Sequence, residues 1–327
     1  CLYMKKFASI MILLFVLISV SACTDDKRAE IVTTMFPQYD FAKQIVRDKM
    51  TVSILIPPGA EIHDYEATSK DMVAINEAKL FIFTSLEIDT WIKDISSFGG
   101  ENTVVLNLSE SYTLADDEHE DDDNHLNHQN ITTLDTDDHD HEEDIHFWTD
   151  PTTAIQLIEA ILEKIILIDP ENASFYEANA YDYIHELEEL HHEIDEFFEQ
   201  EAYHDAHIFF AGHNAMESFA DRYHIHIVSL FPDFKPDAQL TSADRIRFVN
   251  EVKQSGTQYL FIEELVEPRA AKAIQEELAK ENYTLILLEL HGYHNVTKAD
   301  MEDGVTYLEL LSRNFENLKI ALGAPTE

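Results

Sequence analysis

The sequence predicts an α/β chain of two lobes, each built on a mostly parallel sheet and joined by a long connecting helix. Three observations predict it. Short β-rich runs alternate with helical patterns from Glu30 to Leu108, the same alternation returns from His207 to Glu289, and a helical pattern runs from Pro170 to about Gln200 between them. Strands that alternate with helices need crossover connections, which place parallel strands under helices on both faces.

In the first lobe, residues 31–36, 51–56, 80–84 and 103–108 read as strands, with helices over 38–48 and 68–77 between them. Thr149-Asp150-Pro151 then supplies a cap, and a helix with an apolar stripe at Ile155, Ile158, Ile161, Leu162 and Ile165 follows. Asp169-Pro170 caps the next and longest helix, about 45 Å at 1.5 Å per residue, which reads as a backbone between lobes. The second lobe has strands at 207–211, 226–230, 258–262 and 284–289, and one final helix over 298–322. The resulting division is a leader over 1–22, a first lobe over 23–150, connecting helices over 151–204 and a second lobe over 205–327.

The leader reads as an address. Lys5 and Lys6 precede an uncharged stretch whose apolar centre, Ile10 to Ile18, ends in the small residues Ser19, Ser21 and Ala22. That is the order of a secretory signal. Val20-Ser21-Ala22-Cys23 resembles a bacterial lipobox, which implies a lipid on Cys23 and a chain held at the outer surface of the cell membrane; the alternative is a single membrane-spanning anchor. Both readings place the protein outside the cytoplasm.

Composition narrows the partners. The chain of 327 residues carries 64 acidic and 22 basic side chains, a net charge of −42 that repels nucleic acid and anionic lipid. Cys1 and Cys23 both precede the globular part, so neither a disulfide framework nor a thiolate zinc site can be built there. Eight glycines in all leave little material for a phosphate-cradling loop, and no nucleophile elbow is present. Seventeen histidines remain, and imidazole is the commonest metal ligand.

Four of them follow strands or the acidic segment, two in each lobe: His63, His146, His213 and His291. Imidazoles converging in a cleft suit zinc, whereas calcium or magnesium would call for oxygen donors. Asp64 and Glu66 are candidate carboxylate acceptors for the ligand imidazoles, and Asp150, which precedes Pro151, reads rather as a cap. A different group, His119, His125, His128, His139 and His141, sits among 14 acidic residues between Asp116 and Asp144. That segment lacks an apolar face on which to fold.

Three segments, Pro57-Pro58-Gly59-Ala60-Glu61-Ile62-His63-Asp64-Tyr65-Glu66, His146-Phe147-Trp148-Thr149-Asp150-Pro151 and Gly212-His213-Asn214-Ala215-Met216-Glu217-Ser218-Phe219-Ala220, resemble the motifs of the zinc-binding lipoproteins of ABC transporters, the ZnuA/AdcA-like family. The resemblance covers the chain after Cys23. It implies a lipid-anchored monomer that binds Zn(II) in an interlobe cleft through His63, His146 and His213 and delivers it to an ABC permease. It also implies that 116–144 is a metal-capture loop, the other reading being a solvated linker. The fourth ligand stays open among His291, Glu289 and water. Two other classes stay open: a zinc hydrolase using the same three histidines with bound water at an open fourth position, and a surface adhesin or metal buffer acting through the acidic segment.

Overall fold

A computed structural model describes residues 28–113, 145–213, 215–231 and 241–324. The leader, Cys23 and the five histidines of the acidic segment lie outside the described residues.

The first sheet consists of β1 (Ile31–Thr33), β2 (Val52–Ile54), β3 (Leu80–Phe83) and β4 (Val104–Asn107), parallel throughout and in the order β2-β1-β3-β4. The second repeats it with β5 (His207–His213), β6 (His226–Phe231), β7 (Tyr259–Ile262) and β8 (Ile286–Glu289), also parallel, in the order β6-β5-β7-β8. Alternation along the strands decides the layers. On β3, Leu80 and Ile82 face the core shared by both lobes, while Phe81 and Phe83 face an outer cluster with Val32 and Trp91. On β5, Ile208 and Phe210 face the same shared core and Phe209 packs outward on Phe248 and Val252. Apolar residues on both faces are what a covered parallel sheet demands.

Helix α1 (Phe36–Val46) follows β1, and α2 (Ser69–Glu77) precedes β3. Strand β1 is three residues shorter than the sequence predicts, because Pro37 falls in the first turn of α1 and favours an early helix start. Helix α3 (Pro151–Ile168) begins at Asp150, whose carboxylate accepts from Thr152 N at 2.8 Å. The connecting helix α4 (Ala173–Phe198) buries Tyr176, Ala180, Tyr183, Leu187 and Ile194 on one stripe. Its 26 residues span about 39 Å. In the second lobe α5 (Glu217–Arg222), α6 (Ser242–Ser255) and α7 (Arg269–Ala279) cross between strands. The final helix is two: α8 (Lys298–Asp303) stops at Gly304, whose φ of 74° is left-handed, and Thr306 caps α9 (Tyr307–Ala321).

Both sheets change direction of winding beside their first strand, between β1 and β3 and between β5 and β7, and in open α/β sheets ligands collect at the carboxyl ends there. Among the described residues no helix is long and apolar enough to cross a membrane.

Candidate metal centre

The site is assembled from segments far apart in sequence. His63 lies on the loop after β2, His146 immediately before the single helical turn Phe147–Thr149, and His213 is the last residue of β5. One ligand nitrogen from each of the three lies within 4.8 Å of the other two. Ring centroids are 6.0 Å apart for His63 and His146, 5.6 Å for His63 and His213, and 5.4 Å for His146 and His213. Tetrahedral zinc with Zn–N bonds of 2.0–2.1 Å sets its ligand nitrogens about 3.3 Å apart, so a small inward movement of the rings completes the set.

Each histidine is held differently. The His213 ring is buried, and its Nδ1 stands 2.5 Å from Glu263 Oε1, at the end of β7. A carboxylate on Nδ1 fixes the tautomer that leaves the Nε2 lone pair for an ion. Gly212 permits this contact: a Cβ there would fall 2.6 Å from the Phe210 ring and 3.1 Å from Glu263 Cβ. His146 is buried beside Trp148, whose Nε1 donates to Gly292 O at 2.9 Å in the opposite lobe. Asp150, four residues on, receives Arg222 Nε and Nη2 in a two-pronged pair that ties α3 to α5. The expected cap is present, and the brace to Arg222 is an addition that the sequence does not announce.

His63 is half-buried, and its carrier loop is tied across the cleft: Asn295 Nδ2 donates to Pro57 O at 2.9 Å and Ala60 O at 2.8 Å. Burial, with His146 and His213 close by, holds the His63 imidazole down to about 3, so it is neutral at pH 7 and its lone pair is available. Asp64 and Glu66 are exposed. The carboxylates beside the site imidazoles are Glu263 and Glu264, both from the end of β7.

His291 does not join the three. It is buried, its Nδ1 accepts from Tyr293 N at 2.8 Å, and its own N–H donates to Asn314 Oδ1. His294 points to the cluster instead: its ring centroid is 6.2 Å from that of His213, its Nε2 is 3.3 Å from Glu264 Oε1, and its buried Nδ1 has no hydrogen-bond partner. Burial and the neighbouring imidazoles push His294 well below the ordinary histidine range. Burial and Glu263 push the Glu264 carboxyl well above its own, so both shifts favour an uncharged pair.

The backbone accounts for which of the two rings faces the three. Tyr293, between the two histidines, has φ of 62°, a left-handed conformation that costs a bulky residue about 1–3 kcal/mol. It is held there by Asn314 Nδ2, which donates to its hydroxyl at 2.6 Å, and by the Tyr307 ring 4.7 Å away. That twist turns His291 into the lobe and His294 toward the cleft. Gly292 gives the room, since a Cβ would stand 2.9 Å from His294 Nδ1.

Comparison with known proteins agrees with this architecture. The family model described as zinc-uptake complex component A, periplasmic (ZnuA), matches residues 31–321. The high-affinity zinc uptake system protein ZnuA of Bacillus subtilis is 29% identical over 333 residues, which cover 97% of this chain and 98% of its own. The zinc-binding lipoprotein AdcA of Streptococcus pneumoniae is 27% identical, over 97% of this chain and 61% of its own, so the chain spans about three fifths of that longer relative. The crystal structure of the Zn(II)-bound ZnuA-like domain of that AdcA superposes with a TM-score of 0.71 at 25% identity, covering 90% of this chain and 99% of the domain.

Proposed function

We propose, from the premise that the chain belongs to the periplasmic zinc-uptake component A family, that it captures Zn(II) between its lobes and hands it to an ABC permease. The observation that carries this reading is the meeting of His63, His146 and His213, drawn from both lobes, with ligand nitrogens within 4.8 Å of one another. Neutral imidazoles without a thiolate suit a borderline divalent ion. His294 closes the fourth corner in place of His291, since its buried Nδ1 has no hydrogen-bond partner and its ring lies beside His213.

Capture and delivery require that an ion be held and released without bond-making in a substrate. The family is one of transport binding proteins, and the reading of the site as a hydrolase centre gains nothing from Glu263, which is engaged with the His213 ring. Lipid on Cys23 keeps the protein beside its permease at the outer face of the membrane. The reading of residues 116–144 as a metal-collecting loop goes with it.

Zinc affinity measured by competition with a chromophoric chelator tests the site. His63→Ala, His146→Ala and His213→Ala each weaken binding by at least about tenfold, the lower end of what even supporting residues contribute. His294→Ala weakens it more than His291→Ala. Wild-type affinity in any of the three single variants removes that histidine from the site, and wild-type affinity in His294→Ala gives the fourth corner to water.

A further inference from the structure

The far end of the second sheet holds histidines that the cleft does not use. His207 and His226 are the first residues of β5 and β6 and stand directly opposite each other in the parallel register. Opposite residues of adjacent strands share a face and lie about 4.8 Å apart. Both side chains are exposed, and their rings stack with centroids 4.5 Å apart and planes inclined by 25°. A second exposed pair, His204 and His224, lies on the turns that lead into the same two strands, with centroids 6.4 Å apart, and Asp205 Oδ2 is 3.0 Å from His204 Nδ1. The six steps from His207 to His213 put this patch about 20 Å from the cleft histidine on the same strand.

We propose that His207 and His226 form a second, weaker site for a borderline divalent cation, Zn(II) and also Cu(II) or Ni(II), at the amino edge of the second sheet. Two imidazoles fixed in register by a sheet are already ordered, so an ion is chelated without ordering the backbone. Both side chains are exposed and free to turn about their own bonds, so rotation out of the stack can bring one nitrogen of each to a shared ion while the strands hold the two positions in place. Exposure leaves the remaining coordination positions to water, which makes the site labile beside the enclosed one. The net charge of −42 draws cations to this surface. It offers an ion a place to dwell outside the cleft when metal is in excess.

The test is a local one on the full chain, because the acidic segment also carries histidines. Protein is titrated with zinc, treated with diethyl pyrocarbonate, and the acylation of each histidine is read by peptide mass spectrometry. His207 and His226 lose reactivity together, at zinc concentrations above those that fill the cleft, and in His226→Ala the reactivity of His207 no longer responds to zinc. Position 226 is exposed, so this variant leaves the core intact, and an unchanged melting temperature verifies it. Reactivity of both residues that is unaffected by zinc in large excess, or protection of His207 that survives His226→Ala, overturns the proposal.

Discussion

The two lobes share a strand order and present their cleft histidines by opposite means. The second lobe places His213 on the last residue of a strand, inside a ladder, with Glu263 from the neighbouring strand end against its ring. The first lobe places His63 on a loop beyond β2, half-buried, with Asp64 and Glu66 exposed beside it. The sheet-borne side carries Glu263 and Glu264, which stand beside the rings of His213 and His294. One lobe is therefore an anchor with its tautomer already set. The other presents its ligand from a loop that is partly open to solvent.

The largest expected effect follows directly. His213→Ala removes a rigid ligand and also leaves the Glu263 carboxylate facing a cavity, so it weakens zinc binding more than His63→Ala does. In stopped-flow release experiments His63→Ala acts mainly by speeding dissociation, whereas His213→Ala leaves no measurable tight site. Equal losses of affinity in the two variants break the asymmetry.

Next in size is Glu263→Gln. The amide keeps the shape but loses the charge that orients Nδ1–H, and partners of this kind typically contribute 10- to 100-fold in metal affinity. The equivalent change on the loop side, Asp64→Asn, alters affinity by less than the error of the titration. A Glu263→Gln protein with undiminished affinity shows that the sheet alone orients His213.

Asn295 tests the loop side from across the cleft. Its side chain is buried and holds two carbonyls of the loop that carries His63. Asn295→Ala removes the donor that bridges those two carbonyls, leaving Pro57 O only its bond from Ala60 N, at a cost of about 1 kcal/mol in stability, and frees the loop. A faster zinc off-rate is expected with little change in the on-rate, and a variant with wild-type release shows that the His63 loop holds its own shape.

What the sequence made legible follows the same division. Strands and helices carry period in their side chains, so both sheets, α3 and α4 were readable to within a few residues. The meeting of His63, His146 and His213 was readable because each follows a strand or the acidic segment within a recognisable segment. That His294 and not His291 lies beside them was not, because this placement goes with the left-handed backbone of Tyr293, held by Asn314 and Tyr307 from α9. A tyrosine in that conformation is held by packing distant in sequence, and no local pattern announces it. Glu263 and Glu264 left a fainter signal: two adjacent acids at the carboxyl end of β7, beside the point where the sheet reverses its winding. The break at Gly304 was visible as a glycine, but the apolar period runs through it and reads as one helix.

The smallest expected difference is that between the wild type and His63→Gln in the response of the metal-free protein to acid. His63 titrates at about 3 in the folded chain, and burial is the main cause. An unfolded histidine takes its proton near pH 6.5. Between these values the unfolded chain binds the proton and the folded chain does not, so stability rises with pH across that window. It is complete above about pH 6.5 and is lost progressively as the pH falls toward about 3. The buried His291, also held down to about 3, contributes in the same direction from the anchor lobe. Because the His63 loop is partly open to solvent, the closed lobe should dominate: melting temperatures between pH 7 and pH 4 fall nearly as steeply in His63→Gln as in the wild type. A fall that disappears in His63→Gln would instead place the acid-sensitive burial on the loop, and the first lobe would then be as rigid as the second.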